Sequence, residues 1–225
     1  MYSTHTGFPG PHVRSLTEEL VPLANHWKNQ GFGFDAICIG YLSDPAQAEA
    51  VLAVLDGLTG TVILDPAMGD HGKLYSRMTD AHVAAMKKLC QRADVVLPNV
   101  TEAAFLTGTP YETAVQAPES LPEKLKAMGP GAVVITGVAE GDTVGFVGAD
   151  AGEFRYRAPY IPKQLHGTGD LFTAVFAGGY VSGKCCEEAA KLAARFVERV
   201  VDGTESVTPF GAEFEKQLPW LWGQL

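Results

Sequence analysis

The chain has 225 residues, 46% of them hydrophobic, which is enough to bury the core of one globular domain. Its net charge of −9 excludes a broad basic face for nucleic acid, so a bound phosphate would have to be held by backbone N–H groups and a metal ion. Neither a membrane-spanning run nor a secretory signal is recognisable, and we expect a cytoplasmic protein with four reduced cysteines.

Apolar periodicity predicts alternating helices and buried strands. In chain order we predict a loop over 1–10, a helix over 13–27, a strand over 34–40, a helix opened by Asp44 and Pro45, a strand over 61–66, a loop over 67–75, a helix over 79–92, a strand over 95–97, a short helix over 101–106, a helix over 118–128 and a strand over 133–135.

In the C-terminal part the pattern of polar and apolar residues changes. Residues 143–147 and 153–160 alternate in polarity and predict an antiparallel hairpin at a sheet edge, followed by helices over 169–182 and 185–201 and a short helix within 214–222. The whole pattern predicts an α/β fold, with an open, mostly parallel sheet and helices on both faces, in a single domain over residues 1–225.

Polar residues follow the predicted strands, where open parallel sheets bind ligands. They are Tyr41, Asp65, Asn99 and Thr136. Asp65 and Asp70 suggest a hydrated Mg²⁺ ion held between protein and nucleotide, although Asp65 could instead be a turn residue and Asp70 a solvated loop acid. Thr136 could bind a phosphate or satisfy local backbone groups.

Asn99 and Glu102 lie three residues apart at a strand–helix junction, so their side chains can point the same way. This spacing is compatible with a role at a metal–phosphate site. The alternative is a purely structural role in helix capping, with Thr101 as the cap.

The segment His166–Asp170 is a glycine-rich turn that runs directly into an apolar helix. Gly167 and Gly169 allow successive N–H groups to face one concavity at a helix N-terminus, which is an arrangement that binds phosphate. Asp170 would then face the second reactant as a base for a hydroxyl group. Alternatively, Asp170 caps or charges the first helical turn.

Together these residues supply the parts that phosphoryl transfer needs, namely positioning, a metal, anion stabilisation and a proton acceptor. Neither a P-loop nor a protein-kinase signature is present in the sequence.

The chain resembles the ribokinase-like superfamily and, within it, the pyridoxal (vitamin B6) kinases. The motifs that carry the resemblance are Asp65-Pro66-Ala67-Met68-Gly69-Asp70, Pro98-Asn99-Val100-Thr101-Glu102-Ala103, Val133-Val134-Ile135-Thr136-Gly137 and Gly167-Thr168-Gly169-Asp170. The first motif, with Ser3-Thr4-His5-Thr6-Gly7-Phe8 and Gly40-Tyr41-Leu42, favours vitamin B6 kinases over sugar kinases.

The resemblance implies ATP-dependent phosphorylation of the 5′-hydroxymethyl group of a B6 vitamer by a homodimer, with Mg²⁺ and, as a further candidate, a monovalent cation. It also implies roles for individual residues. The base would be Asp170, and the anion hole would be formed by Gly167, Thr168 and Gly169. ATP would be bound by Asn99, Glu102 and Thr136, and the metal would be organised by Asp65, Asp70 and Glu102. The vitamer would be bound by His5, Thr6, Tyr41 and Tyr75.

One departure from the family pattern leaves alternatives open. The family pattern begins with a strand and a glycine loop that supply a serine to the pyridine ring, and this chain starts after them. We therefore expect a more open vitamer pocket. The alternatives are a hydroxymethylpyrimidine or sugar kinase of the same fold, and an inactive shortened homologue that only binds nucleotide.

Overall fold

The computed structural model of the protein describes residues 1, 3–4, 8 and 10–224. It divides the chain into two units. Unit 1 comprises Met1–Arg14, Gly141–Val144 and Arg157–Leu225, and unit 2 comprises Ser15–Glu140 and Gly145–Tyr156. That residues 1–225 form a single kinase domain stays a prediction.

Helices and strands alternate through the first two thirds of the chain. They are α1 (Thr17–Asn29), β1 (Ala36–Ile39), α2 (Gln47–Gly57), β2 (Thr61–Leu64), β3 (Gly69–Asp70), β4 (Lys73–Leu74), α3 (Asp80–Cys90), β5 (Val95–Val96), α4 (Val100–Thr107), α5 (Tyr111–Gln116), a 3₁₀ turn (Pro118–Ser120) and α6 (Leu121–Lys126).

Three longer strands and the remaining helices follow. They are β6 (Ala132–Glu140), β7 (Thr143–Ala149), β8 (Glu153–Pro159), α7 (Thr168–Val181), α8 (Cys186–Gly203), a 3₁₀ turn (Glu215–Gln217) and α9 (Leu218–Trp222). No described helix is both long and apolar enough to cross a membrane.

Six strands form one sheet in the order β1-β2-β5-β6-β7-β8. The first four run parallel, with Ile39 opposite Leu64, Leu64 opposite Val96 and Val96 opposite Val133. Strands β6, β7 and β8 are joined by short turns and lie at the other edge. The predicted fold class, a mostly parallel α/β sheet with an edge hairpin, is confirmed.

The core of unit 2 explains why its strand segments are almost continuously apolar. Leu64, Val96 and Val133 have no solvent-exposed surface, and they belong to one cluster with Met86 of α3 and Leu125 of α6. Strands buried in this way lose the alternation of polar and apolar residues that marks a half-exposed strand.

The structure corrects several predicted boundaries. Helix α1 begins at Thr17 rather than at residue 13. Helix α2 begins at Gln47, because the Asp44 carboxylate accepts a hydrogen bond from the Ala46 N–H and closes a turn first. Strand β6 continues to Glu140, beyond the expected end at residue 135.

Three elements are absent from the predictions. The segment 67–75, expected to be a loop, contains the two-stranded antiparallel sheet β3–β4, and α5 lies in a segment for which no element was predicted. Strands of two residues and a helix of six are too short to show a periodic apolar pattern.

Candidate active site

The carboxyl edge of the parallel sheet brings predicted site residues of unit 2 into one row. Asp65 directly follows β2, and its N–H donates to Ile39 O at 2.8 Å. Asn99 follows β5 and forms a parallel bridge with Thr136, whose N–H donates to Pro98 O at 2.9 Å. Thr136 is level with Asn99 but lies within β6 rather than at its end. Tyr41 follows β1 and is 36% exposed.

Helix α4 begins with a capping box that Asn99 and Glu102 form. Asn99 Oδ1 accepts from the Glu102 N–H at 2.9 Å, and Glu102 Oε2 accepts from the Asn99 N–H at 2.8 Å. The cap is therefore Asn99 and not Thr101, which corrects the structural alternative considered from the sequence. The Thr101 hydroxyl instead accepts from the Gly72 N–H at 2.9 Å.

The same two side chains hold the loop that follows β2. Glu102 Oε1 accepts from the Met68 N–H at 3.1 Å, and Asn99 Nδ2 donates to Gly69 O at 2.8 Å. Helix α4 therefore holds the segment that joins Asp65 to Asp70.

Glu102 is a buried carboxyl, with 3% of its surface exposed. Burial raises the pKa of Glu102 to about 8, and the negative charge of Asp65 adds to the rise, while the backbone N–H donors oppose it. A cation beside Asp65 and Glu102 would relieve both the burial cost and the repulsion.

Whether the site suits Mg²⁺ depends on the carboxylates of Asp65 and Glu102. Among the described residues no three His, Cys, Asp or Glu side chains are arranged to hold a metal ion, so Asp65, Asp70 and Glu102 do not form a common set of ligands. Mg²⁺ commonly uses one or two carboxylates together with water and substrate phosphates. The chemistry of Asp65 and Glu102 fits that kind of site.

Asp70 and Tyr75 lie on or just after the β3–β4 hairpin. Asp70 is exposed, and its Oδ1 accepts from the His71 N–H at 2.8 Å. Tyr75 is 45% exposed, and its N–H donates to Met68 O at 3.0 Å. Two of the predicted vitamer-binding residues, His5 and Thr6, lie outside the described residues.

Unit 1 contains the glycine turn. Gly167 is the N-cap of α7 with φ 89°, a left-handed conformation that glycine adopts without strain. A Cβ atom built at Gly167 or Gly169 would meet nothing within 4 Å, so the space beside both glycines is open. In the described structure no group accepts a hydrogen bond from the N–H of Gly167, Thr168 or Gly169. These N–H groups are available to an anion.

Asp170 lies in the first turn of α7 and is exposed. The N-cap is Gly167, so Asp170 is not the helix cap, but as the acidic residue of the first turn it does lie where a negative charge favours a helix N-terminus. An exposed carboxylate beside three available N–H groups is in a suitable setting for a base that acts on a neighbouring hydroxyl.

Sequence reasoning missed the residues that hold the hairpin in place. Gly72 donates to Thr101, and a Cβ atom at Gly72 would lie 2.6 Å from the Tyr111 ring. A cavity of about 410 Å³ opens beside these three residues. The dipeptide His71-Gly72 between Asp70 and Lys73 could have indicated the β3–β4 hairpin, because glycine is favoured in two-residue hairpin turns.

Comparison with known proteins gives consistent matches. The phosphomethylpyrimidine kinase family matches residues 11–213. The pyridoxal kinase PdxY of Rubrobacter xylanophilus is 28% identical over 219 residues, which cover 90% of this chain and 74% of that protein.

Solved structures are similar over almost the whole chain. The pyridoxal kinase of Lactobacillus plantarum is 31% identical with a TM-score of 0.88, over 99% of this chain and 84% of that one. A proposed phosphomethylpyrimidine kinase of Bacteroides thetaiotaomicron, in a crystal form with pyridoxal, is 30% identical with a TM-score of 0.89, over 98% and 82% of the two chains.

Proposed function

The chain belongs to the phosphomethylpyrimidine kinase family, and from that premise we propose that it transfers the γ-phosphoryl group of ATP to the 5′-hydroxymethyl group of pyridoxal, pyridoxine or pyridoxamine. The resemblance to ribokinase-like pyridoxal kinases that the sequence motifs predicted is confirmed. The observation that carries the proposal is the open turn Gly167–Gly169 with the exposed carboxylate of Asp170 in the same helical turn.

In the proposed reaction Asp170 accepts the proton of the vitamer hydroxyl. The hydroxyl oxygen bonds to the γ-phosphorus, the bond from that phosphorus to the bridging oxygen breaks, and ADP leaves. The N–H groups of Gly167, Thr168 and Gly169 bind the equatorial oxygens of the migrating phosphoryl group, on which negative charge is concentrated.

Residues of unit 2 have supporting roles. We assign nucleotide phosphate binding to Asn99, Glu102 and Thr136, and Mg²⁺ binding to Asp65 and Glu102, with Asp70 acting through water. When bound, the Mg²⁺ ion would offset the negative charge of the phosphates. The vitamer would contact Tyr41 and Tyr75, and the prediction for His5 and Thr6 is retained. Because Asn99 and Glu102 also form the cap of α4, each would have a structural and a binding role.

The proposal extends to the compartment of the protein, its oligomeric state and a monovalent cation. We assign the protein to the cytoplasm, where its four free cysteines would stay reduced, and we assign a homodimer. A monovalent cation remains a candidate activator.

A direct assay tests the activity. The chain is incubated with ATP and Mg²⁺ and with either pyridoxal or hydroxymethylpyrimidine, and the phosphorylated product is quantified. We expect product from pyridoxal, a higher kcat/KM for pyridoxal than for the pyrimidine, and loss of turnover when EDTA removes Mg²⁺. Turnover of the pyrimidine alone would instead support a hydroxymethylpyrimidine kinase, which the matched family name favours.

Another alternative is a nucleotide-binding protein without turnover. Calorimetric titration with ATP and Mg²⁺ separates it from both kinases. Heat of binding without product from either substrate would overturn the proposed activity.

A further inference from the structure

Lys163 makes an unusual set of hydrogen bonds within unit 1. Its half-buried ammonium group donates to three main-chain carbonyls, those of Val201 at 3.1 Å, Asp202 at 2.9 Å and Thr204 at 3.0 Å. An ammonium group has three N–H donors, and in this structure each has an acceptor.

The three carbonyls belong to the C-terminal end of α8. The last carbonyls of a helix have no partner within the helix and carry its partial negative charge. The final turn of α8 contains no basic residue, and its own Asp202 adds negative charge. Lys163 therefore supplies, from a distant part of the chain, the positive charge that α8 lacks.

The bonded segment leads directly into the glycine turn. Lys163 is four residues before Gly167, and between them His166 O accepts from the Ala212 N–H at 3.2 Å. The approach is tight, because a Cβ atom at Gly211 would lie 2.9 Å from His166 O.

Hydrogen bonds of Thr204 also attach the segment that follows α8 to the end of that helix. The buried hydroxyl of Thr204 donates to Val200 O at 2.7 Å and accepts from the Glu213 N–H at 3.2 Å. The end of α8 and the segment 211–213 are thus joined to each other and, through Lys163 and His166, to the segment that precedes the turn.

We propose that Lys163 is a positioning residue for phosphoryl transfer, whose ammonium group fixes the approach to Gly167 by binding the C-terminal carbonyls of α8. The inference rests on the function proposed above. Loss of this contact frees the backbone that sets the direction of the N–H groups at Gly167–Gly169. Small misplacement of such groups lowers the rate of the chemical step more than substrate binding.

The test uses Lys163→Met, which keeps the length of the aliphatic stem and removes the charge. Lys191→Met is the matched control, because Lys191 is on α8 and its ammonium group forms a partly exposed ion pair with Glu187 rather than bonds to main-chain carbonyls. Both variants and the wild type are measured by hydrogen exchange, read by mass spectrometry, and by steady-state kinetics with pyridoxal, ATP and Mg²⁺.

For Lys163→Met we expect exchange of the hydrogen-bonded amides of Leu171, Ala212 and Glu213 to accelerate about tenfold. We expect kcat to fall about tenfold or more, with the KM for pyridoxal changed less than about twofold. Added ammonium chloride, which can enter the place of the missing ammonium group, raises kcat of this variant by a larger factor than it raises kcat of the wild type, whereas tetramethylammonium chloride does not. Lys191→Met matches the wild type in every measurement.

Three results would overturn the inference: wild-type exchange of the amides of Leu171, Ala212 and Glu213 in Lys163→Met, wild-type kcat in that variant, or a loss of kcat that ammonium relieves no more than it activates the wild type. If Lys163→Met does not fold, Lys163→Gln carries the same expectations, because its single amide cannot serve three carbonyls. If the wild type lacks kinase activity, the proposed function fails, while the exchange measurement still decides whether Lys163 holds the turn.

Discussion

Glu102 has the least ordinary environment among the carboxyl groups of the proposed site. It is buried, accepts backbone N–H bonds from Asn99 and Met68, and lies within the electrostatic influence of Asp65. Burial raises its pKa from 4.5 to about 8, so the folded protein holds this proton over a pH range in which the unfolded chain has released it. The free energy of unfolding must therefore fall as the pH rises through this range.

This gives a prediction for urea unfolding measured without divalent cations. The free energy of unfolding of the wild type declines between pH 5 and pH 8, and in Glu102→Gln the decline becomes shallower. At pH 5 the variant is less stable by about 1–3 kcal/mol, because an amide cannot accept backbone N–H bonds at both of its terminal atoms.

Glu49→Gln is the control, since Glu49 forms an exposed ion pair with Lys88. It should keep the pH dependence of the wild type. A Glu102→Gln variant with the same slope as the wild type would show that Glu102 does not hold a proton at neutral pH.

At the level of elements, the β3–β4 hairpin is the feature that joins the metal-binding candidates to α4. Its turn residues His71 and Gly72 both have positive φ, 50° and 75°. Gly72 also packs against the Tyr111 ring and donates to Thr101. The hairpin is therefore fixed both by its own turn and by contacts with α4 and α5.

Gly72→Ala should be costly for two separate reasons, the left-handed backbone and the overlap with Tyr111. We expect a loss of about 2–4 kcal/mol in the free energy of unfolding. Gly108→Ala, at φ 70° with nothing within 4 Å of a built Cβ atom, isolates the backbone contribution and should cost about 1–2 kcal/mol. Equal losses in urea titrations of the two variants would contradict the role given to Tyr111.

For the molecule as a whole, the sequence predicts the order of helices and strands well because the parallel strands are buried. Val95, Val96 and Val133 are fully buried, and that burial requires the apolar runs that were recognised. The positions of Asp65 and Asn99 in one row were equally predictable, because the ends of parallel strands share one edge. Thr136 belongs to that row through its bridge to Asn99, although β6 continues beyond it.

Other features depend on contacts between residues distant in sequence, and no local pattern reveals them. The hydrogen bond from Gly72 to Thr101 spans 29 residues, and the bonds from Lys163 to the end of α8 span 38 to 41. The replacement of Thr101 by Asn99 as the helix cap is different, because the spacing Asn99-Glu102 already fits a capping box and could have been recognised.

The overall charge limits how the molecule can hold a nucleotide. A net charge of −9 repels ATP, and the glycine turn offers backbone N–H groups instead of lysines. In the proposed reaction the carboxylate beside the turn repels phosphate, and its benefit must come from contact with the other reactant. Removal of a hydroxyl proton is the purpose we assign to Asp170.

The most direct measurement is the single-turnover rate of phosphoryl transfer by Asp170→Asn, with calorimetric binding of ATP and Mg²⁺ and the melting temperature recorded on the same sample. Because Asp170 is exposed and makes no capping hydrogen bond, folding and nucleotide binding should stay close to those of the wild type. We predict a rate about 10³-fold lower. A folded variant that phosphorylates pyridoxal at the wild-type rate would contradict the account.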